Sequence, residues 1–496
     1  MSTIERFFDA ARRASVRAAR WSLGENWSER APFVFLFVLC ASVYYASHYP
    51  IAGSVEGSHF SLVRAIVEEG SLRTDSFWQI YSGGVDYATK DGHYYIDRAP
   101  GVAFLGVPFY ALGRAWGLLT AQPPEVAGAH ALLMLPACVG ALGVLLLIRL
   151  CRSIGASPSA AWTVGLLYAF ASLNWKYSAH LYVHVFEIAA VLSLLFMVHD
   201  VDLTRADRKS LAFAFLVGAL PMIRYPLLLL IPVFFVMLVF DPNSRVFPRR
   251  HDDIPGFAVN VAAFAIPILV LAAYHTACFG APWLTFRSFN SPVHMKFTYS
   301  MAAMFDHPFS DGAWKLLFQL PGHHPVGLFV KQPYLWLAAW GWWWMFREHR
   351  RLALGMFAAM TVWLVQFATY HEFDGGSAGD ARYIMLIAPM LMLGLALWID
   401  RVPLRLGAGW REMTFALLAL TAGAAFFACL LHFAEYFGHD MNWSRDIAHR
   451  SLVSRPALET LVRKIFISAD KIHWLWVAFG LAAVFAAAAR KRSPHR

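Results

Sequence analysis

Glu56 sits in Ser54, Val55, Glu56, Gly57, Ser58, His59 and Phe60, a short polar segment directly after the first long apolar run. Further along the same interval come Asp97, Arg98, Ala99, Pro100 and Gly101. A carboxylate at the mouth of a lipid-embedded chain is costly to keep, so its presence there points to chemistry. An ionised carboxylate can act as a general base. Arg98 lies beside backbone that Pro100 holds extended, and a fixed guanidinium fork suits phosphate. The pair therefore offers a base and a phosphate anchor. Two plainer readings stand beside this one: Glu56 caps a helix or is solvated, and Arg98 meets lipid headgroups. Asp97 can pair with Arg98, and Asp91-Gly92 reads as a turn.

Phe60, Val63, Ile66 and Val67 recur at helical spacing, which predicts a short amphipathic helix after Glu56, ending at Gly70. Glu56 then lies just ahead of the positive end of the helix dipole, which favours its ionised form. Glu68 and Glu69 read as solvated. A second constellation is Tyr177, His180, His184 and Glu187, spaced to form one polar stripe on a single apolar helix. Such a stripe belongs on a cavity rather than against lipid, as a hydrogen-bonding wall or as satisfied structural histidines. A third is Tyr370, His371, Glu372, Asp374, Asp380, Arg382 and Tyr383, with Gly375, Gly376 and Gly379 letting backbone approach a ligand. Arg382 stands at the start of the next apolar run, at the level of a lipid phosphate. The plainer reading of this stretch is a polar loop.

These residues must be positioned by a membrane scaffold. The chain has 496 residues, 58% of them hydrophobic and 15% charged, which excludes a soluble protein of this length. Apolar runs long enough to cross a bilayer recur near 32–49, 127–150, 159–175, 181–199, 256–276, 326–346, 352–369, 383–399, 413–433 and 472–489. Two more, 211–223 and 227–240, are too short to cross, so their junction at Arg224, Tyr225 and Pro226 must lie beside a cavity. The net charge of +10 is spread over short loops and is no nucleic-acid signature. Arginines follow the runs 127–150, 181–199, 227–240, 326–346, 383–399 and 472–489, which makes those ends cytoplasmic together only if 100–119 does not cross. Pro108 inside that run is expected to break or kink it, which makes it a juxtamembrane or re-entrant helix.

The resulting layout has a basic cytoplasmic segment at 1–31, a membrane domain at 32–489 and a basic cytoplasmic tail at 490–496. Its long loops, 50–126, 277–325, 370–382 and 434–471, gather on the outer face. In the last of these, Leu458, Leu461, Val462, Ile465 and Phe466 form one face of an interfacial helix that also carries Arg463 and Lys464. The cysteines Cys40, Cys138, Cys151, Cys278 and Cys429 read as packing residues, with no metal spacing and no disulfide implied.

In this order and topology the sequence resembles the polyprenyl-phosphate-sugar-dependent glycosyltransferases of the GT-C superfamily. The closest branch contains the protein O-mannosyltransferases and the lipid A aminoarabinose transferases. The resemblance rests on Glu56-Gly57 with Glu69-Gly70 after the first span, Arg98-Ala99-Pro100-Gly101 in the first loop and His180 or His184 at the outer start of a span. Arg224 between two short helices and Arg382-Tyr383 before a span containing Pro389 complete it. A single glutamate followed by glycine stands where an acidic pair is common, and histidine where aspartate is frequent. The resemblance implies an all-α polytopic membrane protein, a GT-C-like bundle of about twelve transmembrane helices whose large first outer loop carries juxtamembrane helices. It further implies a plasma (inner) membrane enzyme with both termini cytoplasmic, moving a sugar from a polyprenyl-phosphate donor to a glycan, lipid or protein acceptor with inversion. Glu56 would be the base, and Arg98, Arg224 and Arg382 would hold the phosphate. His59, Asp97, Tyr177, His180, His184, Glu187, His371, Glu372, Asp374 and Asp380 would line the cavity. Membrane lipids are expected partners and nucleic acid is not; no cofactor is implied, and a divalent metal on the acids around 372–380 is left open without being predicted. The rival readings are a transporter or flippase, whose sites lie nearer mid-membrane, and an outer-leaflet glycan polymerase or ligase.

Overall fold

The computed structural model of the chain describes residues 27–48, 54–81, 86–199, 201–289, 305–320, 325–370, 373, 380–405 and 408–439. The expectations placed on the N-terminal segment up to residue 26, the helix at 458–466, the run 472–489 and the tail 490–496 lie outside those residues.

The described chain is a helical bundle. Helix α1 (Trp27–Ala46) leads to α2 (Ser54–Arg64), which runs through a π-helical turn (Ala65–Glu69) and stops at Gly70, in the left-handed region at φ 61°. A two-stranded antiparallel hairpin follows, β1 (Tyr87–Lys90) and β2 (His93–Ile96), with Tyr87 opposite Ile96. Asp91 and Gly92, both at positive φ, form its two-residue turn. Next come α3 (Gly101–Thr120), α4 (Pro124–Ser153), α5 (Pro158–Phe170), α6 (Leu173–Ser178) and α7 (His184–Met197). Then follow α8 (Arg208–Ile223), α9 (Ile231–Phe240), α10 (Ile254–Phe279), α11 (Phe309–Phe318), α12 (Leu335–Glu348), α13 (Arg350–Ala368), α14 (Ile387–Arg405) and α15 (Ala408–His439).

Four described helices are long and apolar enough to cross a membrane, Gly101–Thr120, Pro124–Ser153, His251–Phe279 and Arg350–Ala368, as a multi-pass membrane protein requires. Large apolar side chains on the bundle's outside, such as Leu112 at 72% exposed and Leu119 at 82%, suit a lipid surround rather than water.

One expectation is corrected here. Helix α3 runs unbroken through Pro108. The proline removes one ladder hydrogen bond, but α3 packs along α4, and the burial of Tyr110, Gly113 and Gly117 against that neighbour holds the helix together. By length and composition alone it is long enough to cross a membrane. The start of α3 is also pinned. A Cβ at Gly101 would come within 2.5 Å of the Met222 carbonyl oxygen, so only glycine lets α3 begin against the last turn of α8. That approach brings the Arg98 segment and the Arg224 junction to the same end of the bundle.

Candidate functional site

The helix breaks expected between 211–223 and 227–240 are present. Helix α8 ends at Ile223, Arg224 is extended (φ −157°, ψ 128°), and a 3-10 segment (Tyr225–Leu230) leads into α9. A second break was not expected. Tyr177, His180, His184 and Glu187 do not share one helix, because α6 ends at Ser178 and α7 begins at His184. The stripe expectation is corrected by what these residues bind. Lys176 and Tyr177 turn to Asp380, while His180 turns to Glu56. These buried polar groups are thus satisfied by partners on separate segments.

Helix α6 is held from its neighbours. Ser172 caps it by accepting from the Asn174 amide. The Asn174 amide group donates to Tyr44 Oη at 3.0 Å, and Trp175 Nε1–H donates to Ser47 Oγ at 3.0 Å, both on or beside α1.

Glu56 lies inside the first turn of α2 rather than just ahead of it, so it still meets the positive end of the dipole. Its carboxylate accepts from His180 Nδ1–H, and the two side chains are 4% and 1% exposed. With Nδ1 turned to Glu56, the ring presents Nε2 on its far side. A second carboxylate–histidine pair lies beside it: His184 Nδ1–H donates to Glu187 Oε1 at 3.0 Å. Glu187 also accepts from Arg224 at 3.0 and 3.3 Å. The Arg224 guanidinium then stacks near Phe367 (4.6 Å) and Tyr383 (5.0 Å).

Arg382 precedes α14 in a 3-10 turn, as the sequence suggests. Its guanidinium lies 5.3 Å from the ring centres of both Tyr182 and Tyr383. Among the described residues no carboxylate lies within ion-pair distance of it, and its buried Nε has no hydrogen-bond partner. Arg98 follows β2, where the hairpin delivers it. It donates to Asp86 at 2.7 Å and lies 3.5 Å from Asp97, the pairing that sequence suggests. Burial alone would lower the Arg98 pKa, but Asp86 and Asp97 outweigh it and hold the group firmly charged. Arg98 is within electrostatic reach of Tyr383.

These groups converge. The Tyr182 hydroxyl bonds Arg382 and is within electrostatic reach of Glu56 and Arg98. One carboxylate and two arginines from three distant stretches of sequence thus act on one phenol. Such an arrangement can take a proton from a bound hydroxyl and stabilise negative charge that develops on a leaving phosphate.

Of the sequence-named residues, Glu56, His180, His184, Glu187, Arg224 and Arg382, with Tyr177 and Asp380, come together through direct contacts. Arg98, Asp97 and His59 form an adjoining arm. His371, Glu372 and Asp374 lie outside the described residues. Among the described residues no group of three His, Cys, Asp or Glu side chains is placed to hold a metal ion.

Three residues escape the sequence reading. Lys176 is 4% exposed and bonds Asp380 at 2.7 Å, with Tyr177 Oη donating to the other carboxylate oxygen at 2.7 Å. A lone lysine inside a long apolar stretch was the available signal. Burial lowers the Lys176 pKa to about 8, with Asp380 opposing that shift. Tyr182 and Asp86 carried no signal of their own. Glu68 is corrected too. It accepts from Arg64 at 2.8 Å and from Tyr110 Oη at 2.5 Å, and it lies 2.9 Å from Arg114, so it is a structural hub rather than a solvated acid.

Five or more chains of known structure are similar to this one. ArnT from Cupriavidus metallidurans bound to undecaprenyl phosphate is 13% identical at TM-score 0.44, over 94% of this chain and 78% of that one. The same protein in the apo state is 14% identical at 0.45, over 92% and 78%. The Archaeoglobus fulgidus oligosaccharyltransferase, tethered by a disulfide to an acceptor peptide with the NVT sequon, is 14% identical at 0.47, over 83% of this chain and 55% of that one. The chain thus spans about half the length of the archaeal protein. At these values the likeness is one of chain path and carries no activity across. No family model and no curated protein matches the chain.

Proposed function

We propose that this chain is a membrane glycosyltransferase that moves a sugar from a polyprenyl-phosphate donor to an acceptor hydroxyl on the outer face of the plasma membrane. The observation that supports it best is the meeting of the buried Glu56–His180 pair with Arg98 and Arg382 around Tyr182. In the reaction the acceptor hydroxyl gives its proton to the Glu56–His180 pair. Its oxygen forms the new bond to the anomeric carbon as the bond from that carbon to the phosphate oxygen breaks on the opposite side, giving inversion. Polyprenyl phosphate leaves with the bonding electrons. Arg382 meets the charge that grows on it, Arg98 adds its field, and Arg224, already bonded to Glu187, braces the aromatic wall beside Tyr383. The acceptor is a glycan, lipid or protein hydroxyl.

The test is a transfer assay in membranes holding the parent chain or Glu56→Gln, supplied with radiolabelled polyprenyl-phosphate sugars. Transfer by the parent and its loss in a normally inserted variant is the expected result. Movement of a lipid-linked sugar across the bilayer with no covalent product would replace the reading with that of a flippase.

A further inference from the structure

His59 lies one helical turn after Glu56 on α2, so the two side chains project from the same face. It is 1% exposed, and neither Nδ1 nor Nε2 has a hydrogen-bond partner among the described residues. Leaving a buried polar atom unsatisfied is costly, so a fold that keeps two on one ring has a reason outside its own packing. The charge of Arg98 acts on that ring, while its own Nε faces Asp97 at 3.5 Å. The group left with bonding capacity is therefore the His59 ring, on the same helix face as Glu56.

The chemistry of that position follows from charge. Burial first, and the Arg98 charge second, lower the His59 pKa to about 3, so the imidazole is neutral at physiological pH. A neutral imidazole offers one donor and one acceptor and no net charge. Its complement is a group that both gives and takes a hydrogen bond, and a sugar hydroxyl does both. The arginines suit the phosphate and the uncharged ring suits the sugar.

We propose that His59 is a specificity-determining residue that hydrogen-bonds a ring hydroxyl of the donor sugar, with Arg98 alongside on the phosphate side. This deepens the glycosyltransferase reading and rests on it. A site built to hydrogen-bond a hydroxyl rejects analogues that lack it far more strongly than an apolar pocket rejects a change of size.

The experiment measures binding to the purified full-length chain in lipid nanodiscs. The probes are bare polyprenyl phosphate, polyprenyl-phosphate hexoses and pentoses, and single-position deoxy versions of whichever sugar binds best. The parent should bind the intact sugar at least ~10-fold tighter than one particular deoxy analogue. His59→Leu should bind the intact and deoxy sugars alike, at the deoxy level, and keep its affinity for bare polyprenyl phosphate. His59→Gln, which retains a donor and an acceptor, should recover part of the discrimination; it also serves if the leucine variant fails to insert. Equal discrimination in parent and variants overturns the proposal. So does an equal loss for bare and sugar-bearing lipid, the mark of a purely structural residue, and so does a parent that distinguishes no deoxy analogue, as a ring that only holds water would give. A parent that binds no polyprenyl phosphate at all brings down the donor reading itself, and this inference with it.

Discussion

The two ends of helix α14 hold polar groups of different kinds. At its end near residue 400, Asp400 accepts from the Ser157 amide and hydroxyl at 2.5 Å each, where Ser157 caps α5. Nearby, His349 bonds the Ile154 carbonyl at 2.9 Å, and Arg401 forms a two-pronged pair with Glu348 at 2.9 and 2.5 Å. Each of these contacts completes a helix terminus or joins two of them, and each of these charged groups has its partner among the described residues. At the start of α14 the Arg382 Nε is buried without a hydrogen bond, and so is the His59 ring beside Glu56. One end is closed on itself; the other has bonding capacity left over. A ligand site differs from a clamp in that surplus rather than in how many charges it holds.

The sharpest way to break that comparison is Glu56→Gln. It should cut transfer by about 10²–10⁴-fold, measured as kcat in membranes, with insertion unchanged. Adding His180→Gln to it should cost little more, because groups that act as a unit are not additive. An equal loss from Asp400→Asn would show the two ends to be alike after all.

Next in size is Lys176→Met, which takes the lysine away from the buried Asp380. It should lower stability by about 3–5 kcal/mol in denaturant unfolding. The double variant Lys176→Met with Asp380→Asn should recover much of that loss. A single variant as stable as the parent would remove the pair from the site's foundations.

Asp400→Asn, at the closed end, should cost about 1 kcal/mol, the ordinary value of a helix cap, and leave transfer unchanged. Smallest of all is a pH effect on the Glu68 hub. Burial works to raise its pKa, but the bonds from Arg64 and Tyr110 and the charges of Arg64 and Arg114 outweigh it and hold it below 4.5. Its contribution is therefore complete above 4.5 and lost as pH falls through the lower folded value. Thermal midpoints followed downward from neutral pH should decline more gently in Glu68→Gln than in the parent, and parallel curves would sink the idea.

Much of this was legible in the sequence, and what was not has physical causes. Apolar runs announced most of the helices, because burial in lipid demands length and composition together. The junction at Arg224 was legible from the shortness of the runs around it, and Arg382 from its place ahead of an apolar run. The turn at Asp91-Gly92 showed in its residue types, though the hairpin it closes did not. The break between α6 and α7 was hidden. Tyr177 to Glu187 have helical spacing, and only the distant partners Glu56 and Asp380 explain why the helix stops. Pro108 misled for the complementary reason. Its local effect is readable, but the packing of α3 on α4 that overrides it is not. Lys176 was overlooked because its meaning lies in Asp380, far along the chain.

That separation also orders events during synthesis. Lys176 and Asp380 are 204 residues apart, so the lysine is made and placed long before its carboxylate exists. Until Asp380 arrives, the nascent bundle holds an uncompensated cation in what becomes its driest region, and water or lipid phosphate must tend it. The closing of this pair is therefore a late step of assembly. A chain that stops short of residue 380 would hold that lysine without its carboxylate, a flaw of charge rather than of packing.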